Sequence, residues 1–370
     1  MLRNHFKNFD WWLFSAVVFL VFIGILMFFA GAKYGAGDIY LKKQLFFLIF
    51  GIILIFGISF FDYRRLKAHS APVILIYALS IAALILVLMF GVKVRGSISW
   101  FKIGPFSVEP VEFVKIAILA LFAKFFTLRH AEIYRLSHIV LSAVYVAIPT
   151  LLVFLQPDFG SAILLIGIWV GMMMISGINK KYLATLFFIG AIFFSVAWFG
   201  IFKDYQKDRI FSFLNPLEDP YGAGYNIIQS RIAIGSGGLL GMGLGRGTQT
   251  RLGFLPEAHT DFIFAAIAEE LGLLGVVFIF VGYGFIFWRI LKIANWASNN
   301  FAKLFCFGFL ILISLQFIIN ISMNLGVAPV TGITLPFISY GGSSLISLFI
   351  GLGIIESIAI RNFKTANQEI

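Results

Sequence analysis

Apolar runs long enough to cross hydrocarbon recur along the whole chain, and no other feature constrains its fold as strongly. A helix needs about 20 apolar residues to span a bilayer. Ten runs meet or approach that length, near residues 11–31, 44–61, 71–91, 110–126, 139–156, 160–177, 182–202, 262–289, 304–323 and 342–360. With 60% of its residues hydrophobic and 12% charged, the chain is too apolar for a soluble protein of this length. The expected fold is an all-α integral membrane protein, one polytopic domain over residues 1–370 with about ten transmembrane helices. The first run is preceded by Arg3 and Lys7 and has no small-residue cleavage site, so it reads as a retained helix rather than a removed signal peptide.

Orientation follows from Lys and Arg, which stay cytoplasmic near helix ends. Ten spans with the N-terminus inside place fifteen of them on inner segments, six on the short outer loops and six on the long outer loop. Both termini are therefore expected in the cytoplasm. The formal net charge of +11 is explained by this bias and by attraction to anionic headgroups, without nucleic-acid binding. The single cysteine, Cys306, lies inside the ninth run, which excludes a disulfide framework and a cysteine-based metal site.

The long outer loop, residues 203–260 between the seventh and eighth runs, gathers most of the outward-facing charge. Asn215–Pro220 reads as a turn, and Tyr225–Ile234 as a short amphipathic helix at the interface. Gly235–Gly247 tempts a phosphate-cradle reading, but it lacks a Gly-Lys-Ser/Thr terminus and a preceding strand. A close-packed or re-entrant segment, in which glycines let backbone approach backbone, is favoured, with Arg246 facing a lipid phosphate.

Charged residues at membrane depth are costly and normally have a partner or a job. Glu112 and Lys115 share a helical face at i,i+3; the pair either offsets its own insertion cost or lines a polar cavity. Asp158, in Gln156-Pro-Asp-Phe-Gly-Ser161, can cap the sixth run, a reading preferred to catalysis. Asp261 stands at the threshold of the eighth run, where capping and catalysis are both open. Glu257 and His259 could join it as metal ligands, a weak signal. Glu269, Glu270 and Glu356 read as hydrogen-bonded groups of the bundle interior, with the adjacent pair expected to point in different directions.

Several of these segments resemble the SEDS family, the membrane proteins of the RodA, FtsW and SpoVE type. Leu255-Pro-Glu-Ala-His-Thr-Asp261-Phe-Ile matches the family's carboxylate motif, and Pro110, Glu112 and Lys115 match its Pro-x-Glu-x-x-Lys segment. Gln156–Ser161 is similar to its Gln/Glu-Pro-Asp-x-Gly-Ser/Thr turn. Asn324–Ser344, which contains Ser343, resembles the C-terminal signature, and Pro329-Val-Thr-Gly-Ile leans to the RodA branch. Lys93–Trp100 departs from the usual Gly-x-x-Arg-Trp pattern around Arg95.

The resemblance implies a peptidoglycan glycan-strand polymerase that uses lipid II and undecaprenyl-pyrophosphate-linked glycan at the outer face of the bacterial cytoplasmic (inner) membrane, in cell-wall elongation and cell shape. It places the essential aspartate on Asp261, as general base for an inverting transfer. Lys115, Arg246 and Arg95 are the expected partners of the leaving pyrophosphate, and Asp158, His259 and Ser343 are expected to line the cavity. A divalent cation, Mg or Mn, could assist. The implied partners are a class B penicillin-binding protein transpeptidase and other elongation-complex membrane proteins. The competing classes are a lipid-linked precursor flippase, which needs a polar path through both leaflets, and a non-catalytic scaffold of the cell-wall synthesis complex.

Overall fold

The structure, a computed structural model, describes residues 2–32, 38–94, 96–104, 106–129, 136–200, 204–222 and 224–366. It opens with α1 (Leu2–Lys7), α2 (Trp11–Ala32), α3 (Asp38–Phe60), α4 (Arg64–Ala68) and α5 (Ser70–Phe90). Three short strands follow, β1 (Val92–Val94), β2 (Ser97–Ile103) and β3 (Phe106–Val108). Then come α6 (Pro110–Leu128), α7 (Leu136–Leu155), α8 (Phe159–Ile175) and α9 (Lys180–Gly200). The long loop holds α10 (Asp204–Leu214), α11 (Tyr225–Ser236) and α12 (Thr248–Arg251), before α13 (Ile263–Asn295), α14 (Asn300–Asn324) and α15 (Gly342–Ala366).

Each of the ten apolar runs falls on a helix: α2, α3, α5, α6, α7, α8, α9, α13, α14 and α15. Among the described residues seven of them are long and apolar enough to cross a membrane, and the chain is a multi-pass membrane protein. Helix α6 carries Glu112, Lys115 and Lys124, α8 has 17 residues, and α9 runs Lys180–Gly200. Helix α6 tolerates its charges because it is the axis of the bundle: it packs against α5, α14 and α15 and is buried along almost its whole length. Protein, not lipid, surrounds those charges.

The all-α fold also carries one small sheet. Strands β1, β2 and β3 pair antiparallel in that order, and Val94 faces Ser97 beside Gly96, whose φ is +90°. The alternation Ser-Ile-Ser-Trp in β2 with a Gly turn is a hairpin signal that the surrounding apolar runs overshadow. Arg95 lies outside the described residues.

The 203–260 segment is folded in several places. Its Asn215–Pro220 stretch is the expected turn, closed by Asn215 Nδ2 donating to Glu218 Oε1 at 2.6 Å. Helix α11 is seated on α13 and α14 through Ile227, Ser230 and Ala233, with the Ser230 hydroxyl donating to the Asn324 carbonyl at 2.7 Å. The glycine segment is close-packed, as expected. Met242 and Gly243 N–H donate to the carbonyls of Glu269 and Glu270, and Leu273 N–H donates to that of Gly238. A Cβ on Gly241 would lie 2.2 Å from the Glu270 oxygen, so only glycine permits the approach.

Both described chain ends meet on one face, here called the terminal face. His5 Nε2 lies 2.9 Å from Ser59 Oγ, and Arg361 binds the Ser59 and Phe60 carbonyls and Asp62. Asp261 and the signature 324–344 lie at the opposite ends of the same helices, on what is called the motif face.

Candidate active site

The motif-face site begins with how Asp261 is held. The segment 256–262 is a run of turns, and Glu257 at φ +52°, uncommon for a residue with a Cβ, receives the N–H groups of Thr260 and Phe262 on its carbonyl. The carbonyls of His259, Thr260 and Asp261 are then tied to the C-terminal half of the chain. Tyr340 N–H donates to His259 O at 2.9 Å, and Ser339 Oγ donates to Thr260 O at 2.6 Å. Asn320 and Asn324, one turn apart on α14, both donate through Nδ2 to Asp261 O at 3.0 Å. Asn324 also accepts from Ala265 N–H at 3.1 Å, which secures the first turn of α13. The backbone of Asp261 is thus fixed by side chains 59 and 63 residues away in sequence.

The N-cap of α13 is Phe262, the residue after Asp261. The Asp261 carboxylate lies beside the bend at Gly332, where an added Cβ would come within 3.7 Å of Oδ2. That bend in turn rests on α8, since a Cβ on Gly160 would lie 2.6 Å from the Thr331 carbonyl. Asp158, two residues earlier, caps α8 through Oδ1, accepting Ser161 N–H at 3.0 Å, as the sequence predicts.

The third wall is the start of α6. Lys115 Nζ and Glu112 Oε1 form the expected ion pair at 2.7 Å, with 3% and 8% of their side chains exposed. Immediately before the helix lies Glu109, whose N–H donates to Ser343 Oγ at 2.9 Å, while Ser343 lies 3.5 Å from the Ser107 carbonyl. Ser343 therefore ties β3 and the head of α6 to the C-terminal signature. Burial pushes the Glu109 carboxyl well above the usual carboxylate range; Glu112, Asp158 and Asp261 push it the same way, and Lys115 opposes them. Four acidic groups from α6, the α7–α8 turn and the head of α13 thus share one electrostatic neighbourhood with one lysine.

Of the sequence-expected residues, Asp261, Asp158, Glu112 and Lys115 come together, with Ser343 beside them. His259 turns the other way, its ring 5.7 Å from that of Phe28 and 5.0 Å from that of Tyr40. Burial pulls its pKa down, and Glu257 opposes the shift. Arg246 is exposed, its stem against Gly243 of its own loop. Glu109 was missed as a site residue, although it stands in the same Glu-Pro-Val-Glu segment; a carboxyl directly before a helix-opening proline is the available signal. Asn320, Asn324 and Ser339 were missed too, since nothing local in the sequence marks a side chain that holds a distant carbonyl.

Glu269 and Glu270 also differ from expectation in direction. Both grip one loop: Glu269 accepts from Gln249 N–H at 2.7 Å and Thr250 N–H at 3.0 Å, and Glu270 from Gly245 N–H at 2.8 Å and Thr250 Oγ1 at 3.0 Å. Adjacent helical residues diverge by about 100°, yet a loop lying across the helix meets both. Among the described residues no group of three or more His, Cys, Asp and Glu is placed to hold a metal ion.

Comparison with known proteins points to one family. The family model for cell cycle proteins of the FtsW, RodA and SpoVE type matches residues 7–364. The peptidoglycan glycosyltransferase MrdB of Escherichia coli (strain K12) is 40% identical over 283 residues, 76% of each chain. The stage V sporulation protein E of Bacillus subtilis (strain 168) is 35% identical over 92% of this chain and 94% of its own. Among solved structures, a chain of a peptidoglycan synthase complex that coordinates polymerization and crosslinking superposes with a TM-score of 0.81, at 32% identity over 96% of this chain and 99% of that one. The rod-shape-determining protein RodA of Thermus thermophilus gives 0.70, at 29% identity over 95% and 96%. With the family match spanning nearly its full length, the chain belongs to the FtsW, RodA and SpoVE family of membrane proteins.

Proposed function

We propose that this protein is a peptidoglycan glycosyltransferase that polymerises glycan strands from lipid II, with Asp261 as general base. The observation that carries the mechanism is the way Asp261 is held: its backbone is fixed by Asn320 and Asn324, and its carboxylate lies beside Gly332 within the acidic neighbourhood at α6 and α8. Chemically, the 4-hydroxyl of the acceptor sugar attacks the anomeric carbon of the donor, and undecaprenyl pyrophosphate leaves with inversion. Asp261 accepts the hydroxyl proton, a contribution of roughly 10²–10⁴-fold.

Lys115 faces the leaving pyrophosphate. One of its three donors is engaged by Glu112, which offsets the cost of burying the ammonium and aims it. Arg246 and Arg95 supply further positive charge from the loops. A divalent cation, Mg or Mn, would be held by one or two of the carboxylates together with phosphate oxygens, the usual mode for Mg. It would neutralise the leaving group's charge, and no step here depends on it. The site lies at the outer face of the cytoplasmic membrane with both termini inside, and a class B penicillin-binding protein crosslinks the product.

The test is Asp261→Asn, which keeps the shape of the side chain and removes the basic oxygen. Polymer formed from lipid II by equal amounts of folded protein, with the partner present, should fall to background. Asp158→Asn should be milder, because Asn can still accept the Ser161 N–H. Near-parental polymer from Asp261→Asn would remove the general-base mechanism and bring the flippase and scaffold readings forward.

A further inference from the structure

The seam between α2 and α13 carries, towards the terminal face, a group of side chains that the proposed reaction does not use. Trp12 meets Phe285 and Phe19 meets Phe278, each pair 6.3 Å apart between ring centroids, so the two helices run antiparallel. They are also close, since a Cβ on Gly282 would lie 2.6 Å from Leu20 Cδ2. The aromatic pairs bridge the outer edge of the seam about two turns apart, roughly 10 Å at the helical rise. Trp12, Phe19 and Phe278 are exposed there.

Beyond Phe285 the stripe continues on α13 alone. Trp288, Lys292 and Trp296 follow at i,i+4 spacing, which stacks them on one face. Lys292 Nζ lies over both indoles, 5.3 Å from the Trp288 ring centroid and 4.6 Å from that of Trp296. About half of each indole is exposed, Trp288 at 51% and Trp296 at 50%. Attraction to the ring faces holds the ammonium in place but supplies no oxygen for its three N–H donors. Among the described residues no carboxylate or carbonyl takes that place. Asp10, the carboxylate at this end of the seam, is bound by Arg289 with its side chain wholly shielded. The Arg289 guanidinium in turn lies 5.4 Å from the Trp288 ring centroid and steadies that indole.

We propose that this end of the α2–α13 seam binds an anionic phospholipid of the leaflet that meets the terminal face. The lipid phosphate accepts hydrogen bonds from Lys292. Trp288 and Trp296 flank it at the headgroup level, where indoles settle in a bilayer. An acyl chain then runs along the seam past Trp12 and Phe285 to Phe19 and Phe278. Charge selects among the possible occupants. A zwitterionic headgroup brings a cation of its own against Lys292, and the carboxylate at this end is already engaged by Arg289. A partner's apolar transmembrane helix would cover the ammonium without giving it an acceptor, which is costly. A headgroup with net negative charge meets the lysine and brings no cation to be repelled, in keeping with basic sites between helices that hold acidic lipids.

The experiment titrates the full chain in detergent with phosphatidylglycerol or with phosphatidylcholine of identical acyl chains, and native mass spectrometry reads the lipid retained. The parent should prefer phosphatidylglycerol. Lys292→Gln should lower phosphatidylglycerol affinity by about fivefold, the share of one interfacial lysine, with phosphatidylcholine unaffected. Lys292→Arg keeps the charge and should bind as the parent does. The double variant Trp288→Leu with Trp296→Leu retains the lysine but removes its seat, so it should also weaken phosphatidylglycerol. Lys303→Gln removes an exposed charge elsewhere on the terminal-face side and should change nothing, which separates a built site from general attraction to a basic surface. Parental phosphatidylglycerol binding by Lys292→Gln, or an equal loss in Lys303→Gln, overturns the site. Release of the lipid from the parent on addition of the transpeptidase partner also overturns it, by giving the seam to a protein helix.

Discussion

The buried charges of the motif face are not equivalent, and their differences are testable one residue at a time. Glu109 is the case in which burial works against ionisation. Its folded-state pKa is raised above the ordinary value of 4.5. Below that value folded and unfolded chains are both protonated, so the group contributes nothing. As pH rises above it, the unfolded chain ionises while the folded one holds its proton, and stability is lost progressively up to the raised pKa. Glu109→Gln mimics the neutral form, so it should melt above the parent at pH 7–8, and the gap should close as the pH is lowered to about 4.5. An unchanged gap across that range would show that the carboxyl is not held neutral. The Glu112–Lys115 pair is different, because each charge is matched by its neighbour at 2.7 Å. The double exchange Glu112→Lys with Lys115→Glu preserves the attraction while moving the cation by one helical turn. It should retain membrane protein levels and lose polymerisation, whereas removal of one partner alone should cost about 3–5 kcal/mol of stability. Full activity of the exchanged protein would reduce the pair to a structural role.

At the scale of the element, the head of α13 is where the loop, the carboxylates and the helix become one unit. Gly272 has φ +65° and ψ −158° inside that helix, a conformation essentially confined to glycine. A Cβ there would lie 2.3 Å from Gly241 N. The resulting kink lets Leu273 and Leu274 N–H reach the carbonyls of Gly238 and Leu239, while Glu269 and Glu270, just before it, hold residues 245–250. Gly272→Ala should therefore cost at least ~1–3 kcal/mol from the backbone alone. It should also release the 238–250 loop, read as a lower melting temperature together with new proteolytic cleavage there. A variant with parental melting and no new cleavage would mean that the kink is not what secures the loop. The glycine pattern showed in the sequence that backbones approach closely, and the helices themselves were legible because hydrophobic run length is a local property. The partner of Gly241 was not legible, since that pairing depends on which carbonyls a kinked helix leaves open. The same limit hid Asn320 and Asn324: an amide side chain in an apolar run reveals that it needs a partner, without revealing that the partner is the Asp261 carbonyl.

Along α6 the charged groups fall at its two ends with an apolar belt between them. The motif-face group ends at Lys115, and the next charge on α6 is Lys124, whose Nζ donates to the Lys67 carbonyl near the terminal face. Nine helical steps separate the two lysines, about 14 Å at 1.5 Å per residue, and Ile116–Ala123 between them are buried and apolar. On the terminal face Arg289 binds Asp10, Glu356 accepts the Asp10 N–H at 2.9 Å, and Arg361 pairs with Asp62 at 3.2 Å, so these charges are engaged with one another. A flippase needs a polar path that joins the two faces. Among the described residues the belt along α6 interrupts it, which favours chemistry confined to the motif face. The charge asymmetry of fifteen Lys and Arg on the inner segments against six on the short outer loops is the ground on which we propose that this face lies outside. A reporter fused at the C-terminus should therefore be cytoplasmic, and one inserted near Pro220 extracytoplasmic. Finding both on the same side would break the ten-span arrangement. Finding them exchanged would place Asp261 inside the cell, where it could not act on lipid II presented at the outer face, and polymerisation by this site would have to be abandoned.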